Sequence, residues 1–201
     1  MSKRSRTLVG VASLALLAVY FVPLWSISLE APQYPEGLGM HIWINTITGH
    51  GPNDLQNING LNHYIGMQRI EPDSFAELRV MPWVVGVLIL LGLAAAATGR
   101  RGVLYAFAGA MAFAAIVGMV DFYVWEYNYG HDLDPTAAIR VPGMSYQPPL
   151  IGSRTLLNFK ATSLPALGGW IAVFTGVVAV LGAFNEFRAA RAERLQAQRG
   201  G

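Results

Sequence analysis

Histidine and methionine are the residues of this 201-residue chain best suited to metal chemistry, since cysteine is absent. They centre on Asn59-Gly60-Leu61-Asn62-His63-Tyr64-Ile65-Gly66-Met67, which sets an imidazole and a thioether four positions apart. On an α-helix that spacing puts both side chains on one face, where a single soft ion such as Cu(I) can touch both. The same pair also arises from packing alone, so its weight depends on where other donors fall. Met40 and His41 are adjacent, and His131 and Met144 lie in a later polar segment. The candidate copper ligands are therefore His63 and Met67 first, then His41 with Met40, and His131 with Met144. His50 ranks last, because Gly49-His50-Gly51-Pro52 reads as a turn. The competing reading of all these histidines is that each hydrogen-bonds a backbone carbonyl and fixes a loop.

Composition narrows the chemistry further. Without cysteine there is no disulfide, no thiolate-bound iron–sulfur cluster, no covalent c-type haem and no cysteine-containing copper centre. A b-type haem is disfavoured because no histidine falls within an apolar run, and His/Met mixtures are softer than zinc usually selects. No serine elbow, zinc-protease helix pattern or phosphate-cradling glycine loop is present, so the chain is read as non-enzymatic. Its bases form no stripe interleaved with aromatics, which argues against nucleic acid.

The elements that must position these residues belong to a membrane protein. Hydrophobic residues make up 53% of the chain and charged ones only 13%, a balance far from that of a soluble domain. Apolar runs at Leu8–Trp25, Trp83–Thr98, Val103–Val120 and from Leu164-Pro165 to Phe184 are each read as a span. The expected fold is an all-α integral membrane protein with four transmembrane helices and a periplasmic cap made of two long loops. Its divisions are 1–25 (cytoplasmic N-terminus and first helix), 26–81 (first periplasmic loop) and 82–121 (second and third helices with a cytoplasmic hairpin). The second periplasmic loop is 122–163, and 164–201 is the fourth helix with a basic tail. Pro82 is placed in the first turn of the second helix, where proline is tolerated. A cleaved signal peptide ending near Ser26-Ile27-Ser28 is the alternative, disfavoured because the first apolar run exceeds the usual core of about 7–15 residues.

Charge sets the orientation. Lys3, Arg4, Arg6, Arg100, Arg101, Arg188, Arg191, Arg194 and Arg199 would all lie on one side, with Glu186 and Glu193 as the acids there. By the positive-inside rule both termini are cytoplasmic, in a bacterial inner membrane, with the tail near anionic lipid headgroups. Every histidine then falls on the outer side. Asp121 and Glu126 are read as solvated acids at a helix end, and Asp132 and Asp134 as a surface turn. Gly143-Met144-Ser145-Tyr146-Gln147-Pro148-Pro149-Leu150-Ile151-Gly152 is too rigid for a casual linker and is expected to pack on the first loop or dock a partner.

Three stretches carry a family resemblance: Phe21–Trp25 leading to Ala31–Leu38, then Asp54–Met67, then Pro142–Gly152. Together they resemble a poorly characterised family of small bacterial membrane proteins associated with nitrous oxide reductase maturation gene neighbourhoods. The resemblance implies an accessory role in assembling, or supplying copper or electrons to, a periplasmic copper enzyme, with a membrane or periplasmic protein as partner. It brings no catalytic residues. Two other functions stay open: a structural subunit of a larger respiratory or photosynthetic complex, and an oxidoreductase subunit with a quinone pocket among the outer aromatics.

Overall fold

The computed structural model describes residues 1–156 and 158–199, the side chain of Arg199 excepted. Leu157, Gly200 and Gly201, and with them the end of the basic tail, lie outside the described residues. The chain folds into a helical bundle and, at one end of it, a cap built on a sheet.

The expected all-α architecture does not hold. Five antiparallel strands form one sheet in the order β3-β2-β1-β5-β4, with β1 at Trp25–Ala31, β2 at Tyr34–Ile42, β3 at Ile47–Gly49, β4 at Gly152–Leu156 and β5 at Phe159–Pro165. The physical reason is visible in β1. Trp25, Ile27, Leu29 and Ala31 alternate with Ser26, Ser28 and Glu30, a period of two that gives a strand one apolar and one polar face. Trp25 is thus the first residue of a strand and not the interfacial end of a helix.

The expectation of four spans is corrected as well. Among the described residues three helices are long and apolar enough to cross a membrane: α3 (Ala76–Thr98), α4 (Arg101–His131) and α5 (Leu167–Arg199). The first stretch is different in kind. Its α-helical part, α1 at Lys3–Ala15, carries Lys3, Arg4 and Arg6 within its first turn and then tightens into a 3₁₀ segment at Leu16–Tyr20. At about 1.5 Å per residue α1 alone covers roughly 20 Å of the ~30 Å of hydrocarbon, and the chain reaches the cap only through the 3₁₀ segment, which adds about 10 Å at about 2.0 Å per residue. Other boundaries move too. The helix holding Pro82 begins six residues earlier, at Ala76, so the proline sits inside it. Helix α4 continues past Val120 to His131.

Bundle packing relies on close approach. Helix α1 lies against α3 and α5, and α4 against α3 and α5. A Cβ on Gly92 would collide with the Ser13 hydroxyl and lie 2.9 Å from Phe107, while Thr175 Oγ1 donates to Ala12 O at 3.1 Å. Phe107, Leu104, Val9 and Leu16 fill the core between them. At the hairpin end Glu186 accepts from Ser2 N at 2.7 Å, Ser5 Oγ at 2.9 Å and Arg101 Nε at 3.2 Å. Arg101 also grips Glu193 through two bonds of 2.8 Å.

In the cap, Ile27, Leu38, Met40 and Ile47 of the sheet pack with Ile58 of α2 (Asp54–Ile65), with Ile70, and with Leu78 of α3. Phe122, Trp125 and Tyr129 of α4 close this core from the bundle side.

If Gly92 is the point of closest approach, Gly92→Leu should overpack the bundle and destabilise it by about 1–3 kcal/mol. Gly102→Ala, with nothing within 4 Å of its added Cβ, should leave the melting temperature of the detergent-solubilised protein nearly unchanged.

Candidate functional site

The Asn59–Met67 stretch, first in the sequence ranking, joins the two polar segments. Helix α2 ends at Ile65, and Gly66 adopts a left-handed conformation at φ 82°. Met67 N donates to Asn62 O at 2.9 Å, the six-to-one bond of a Schellman cap. Met67 is therefore past the helix end and does not share a helical face with His63. The remaining residues clamp neighbouring chain. Asn59 accepts from Ile70 N at 2.7 Å and donates to Ile70 O at 3.0 Å, and Asn62 donates to Gln68 O at 3.2 Å. Asp134 N donates to Gly66 O and Ile139 N to Tyr64 O, both at 2.8 Å. Gly66 is required twice over, by its φ and because a Cβ would stand 2.9 Å from Asp134 O.

The other candidate ligands are distributed as follows. Met40 and His41 are neighbours on β2 and so point to opposite faces; Met40 is buried in the cap core. His63 is exposed near the end of α2, with Tyr64 beside it. His131 ends α4, stacked on Tyr127 at 4.0 Å, its Nδ1 2.9 Å from Tyr127 O. Met144 is half-buried and its N–H donates to Val141 O at 3.0 Å. Among the described residues no three His, Asp or Glu side chains converge.

One pair of imidazoles does meet, and it includes the histidine ranked last. His41 and His50 lie with ring centroids 4.1 Å apart and planes tilted 39°. The sheet builds this pair. Residues 39 and 41 of β2 face away from the cap core, across from Ser28 and Ser26 of β1. Because residue 39 is glycine, the slot between strands is empty, and the His50 ring occupies the position a Cβ would take. His50 N donates to Gly39 O at 2.9 Å, and Asp54 Oδ2 accepts from Gly39 N at 3.1 Å. His50 Nε2 stands 3.0 Å from Ser26 Oγ. Trp43 packs edge-on to His41 and donates to Thr48 Oγ1 at 2.9 Å. The surrounding face is polar, with Ser153 bonded to Thr162 at 2.8 Å and Lys160 paired with Glu30 at 3.6 Å.

Burial, and then the neighbouring His50, hold His41 below the ordinary histidine pKa of 6.5. Both effects disfavour imidazolium and leave a neutral nitrogen donor, the form a metal ion needs.

Two acids behave differently from one another. Asp121 is exposed, but on α4 ten residues before that helix ends, so it is not the helix-end acid expected. Glu126 is fully buried, and among the described residues neither of its oxygens has a hydrogen-bond partner; Trp125 Nε1 and the Tyr146 hydroxyl are likewise unpaired there. The expected solvation of Glu126 is overturned because α4 runs on beneath the 143–151 segment, where Tyr146 N donates to Gly130 O at 2.9 Å. Asp134 does form a turn, accepting from Thr136 N at 2.7 Å and Thr136 Oγ1 at 2.6 Å. The chain matches no protein-family model, and no curated protein is significantly similar to it.

Two outcomes follow from this geometry. Asn59→Ala strands the buried N–H of Ile70 and should cost about 1–3 kcal/mol in chemical denaturation followed by tryptophan fluorescence. His41, with its folded pKa depressed, contributes stability that is complete above pH 6.5 and is lost as pH falls through the folded value. Melting temperature should therefore drop on acidification below that point, and His41→Gln should flatten the dependence.

Proposed function

We propose that this chain is a membrane-anchored, non-enzymatic accessory protein that holds copper on the outer side of a bacterial inner membrane and presents it to an enzyme under assembly. The observation that carries the proposal is the His41–His50 pair on the polar sheet face, two imidazoles 4.1 Å apart on a rigid support. Nitrogen donors without cysteine suit copper in either oxidation state. Support for the setting comes from the three apolar helices and from the bases at the hairpin end. Lys3, Arg4, Arg100, Arg188, Arg191 and Arg194 are exposed there, an excess that the positive-inside rule assigns to the cytoplasm. The family resemblance points the same way, toward maturation of a copper enzyme such as nitrous oxide reductase.

Orientation is tested by single-cysteine labelling, which the cysteine-free chain permits. Thr136→Cys should react with a membrane-impermeant maleimide in intact cells, and Gln196→Cys only after permeabilisation. The reverse pattern would place the cap inside and end the proposal.

Copper itself is tested by competition with a chromophoric Cu(I) chelator under reducing conditions. The expected result is one-to-one binding, weakened about tenfold or more, at least 1.4 kcal/mol, in His41→Ala/His50→Ala. His63→Ala/Met67→Ala should bind like the parent.

A structural-subunit role is the second reading, favoured by the open small-residue surface of α4. Gly102 and Gly109, seven residues apart on one face, have nothing within 4 Å of an added Cβ, so another helix could approach closely. Stoichiometric membrane partners without bound metal would select it.

A further inference from the structure

We infer that the His41–His50 pair is half of a metal site, built so that a second protein supplies the remaining ligands and takes the ion away. This inference rests on the copper reading above and specifies how that site works.

The donor count comes first. His50 is pinned by its backbone bond to Gly39 O at 2.9 Å, and its Nδ1 edge covers Gly39. Nε2 is therefore the nitrogen left to face a ligand. Two rings 39° from parallel at 4.1 Å cannot aim their in-plane lone pairs at each other, so linear two-coordinate binding is excluded as they stand. An ion held by both takes them as neighbouring ligands, leaving positions unfilled on the far side.

Asp54 Oδ2 accepts from Gly39 N at 3.1 Å. Thr48 Oγ1 already accepts from Trp43. No third His, Asp or Glu converges on the pair among the described residues. What surrounds the site is an open face with Thr48, His50, Ser153 and Thr155 exposed. A partner reaching this face with imidazole, thioether or thiolate donors would complete the shell. Transfer is then ligand exchange, with the oxidation state of the ion unchanged throughout.

Ser26 is a positioning residue in this scheme. Its hydroxyl, 3.0 Å from His50 Nε2, occupies the nitrogen whenever the ion does not. It thus competes with the metal and favours release. Removing one neutral hydrogen bond of about 0.5–1.5 kcal/mol corresponds to roughly 2- to 12-fold tighter binding in Ser26→Ala.

The experiment loads the full-length, detergent-purified protein with one equivalent of Cu(II) and counts ligands by pulsed EPR. The expected signal shows two imidazole nitrogens and at least one exchangeable water. Added N-acetylhistidine should displace the water and form a ternary complex before any copper is lost. Gly39→Ala keeps both imidazoles but evicts the His50 ring, and should reduce the count to one nitrogen while far-UV circular dichroism stays unchanged. Three or more protein nitrogens, or no exchangeable water, would show a closed site and overturn the half-site while leaving copper binding in place. A two-nitrogen signal that survives in His41→Ala/His50→Ala, or no copper uptake at all, would overturn both this inference and the reading it rests on.

Discussion

The interaction on which the rest of this structure depends is the antiparallel pairing of β1 with β5. It joins the chain just after its first helical stretch to the chain just before its last helix, with Trp25 opposite Pro165 and Glu30 opposite Lys160. Continuous with the ladder, Ala166 N donates to Leu24 O at 3.0 Å and Gly168 N to Pro23 O at 2.9 Å. Such contact needs small residues, and a Cβ on Gly168 would lie 2.8 Å from Pro23 O. Pairing across so much sequence carries a loop-closure cost that grows only slowly with length. Once made, it turns two polar excursions into one sheet and seats the ends of α1 and α5 side by side.

From that pairing the two faces of the sheet acquire different jobs. Trp25, Ile27, Ser163 and Ala161 turn toward the cap core, where Trp25 Nε1 donates to Ser163 Oγ at 2.7 Å and its ring meets Phe122 at 5.3 Å. The cap and the upper end of α4 are thereby one packed body. Ser26, Ser28 and His41 turn the other way, onto a face with hydroxyls and few apolar groups. A rigid support matters for any site on that face, because ligand geometry held by strands is better defined than geometry held by loops. The opposite end of the bundle is secured by a separate device, the Arg101 grip on Glu186 and Glu193. Both of these acids are engaged by the one arginine.

The site itself illustrates how an absence of atoms can organise chemistry. Gly39 supplies an empty position in β2, and the His50 ring settles into it. That brings together two histidines nine positions apart, on a strand and on the turn after the next strand. In contrast, the motif with the densest candidate ligands, Asn59–Met67, uses its asparagines and glycine to hold the two excursions together. Its Asn and Gly residues are recognisable helix-ending and loop-clamping types, so the mechanical role was written in the same letters that suggested a metal.

The sequence by itself determined the long apolar helices, the hairpin at Gly99 to Gly102, the lack of cysteine chemistry and the segregation of histidines from the apolar runs. These follow from composition and local periodicity, which need no knowledge of contacts. The period-two alternation of β1 was also legible in Trp25 to Ala31, but the apolar run before it masks the switch from helix to strand. Only the tertiary structure decided that the two polar segments share a sheet, that Glu126 is buried beneath the 143–151 segment, and that His41 meets His50 while strand alternation sends Met40 to the opposite face. The reason is physical. Strand pairing partners and the far sides of turns are set by contacts between residues distant in sequence, and periodicity shows which face a residue occupies without showing what it will face.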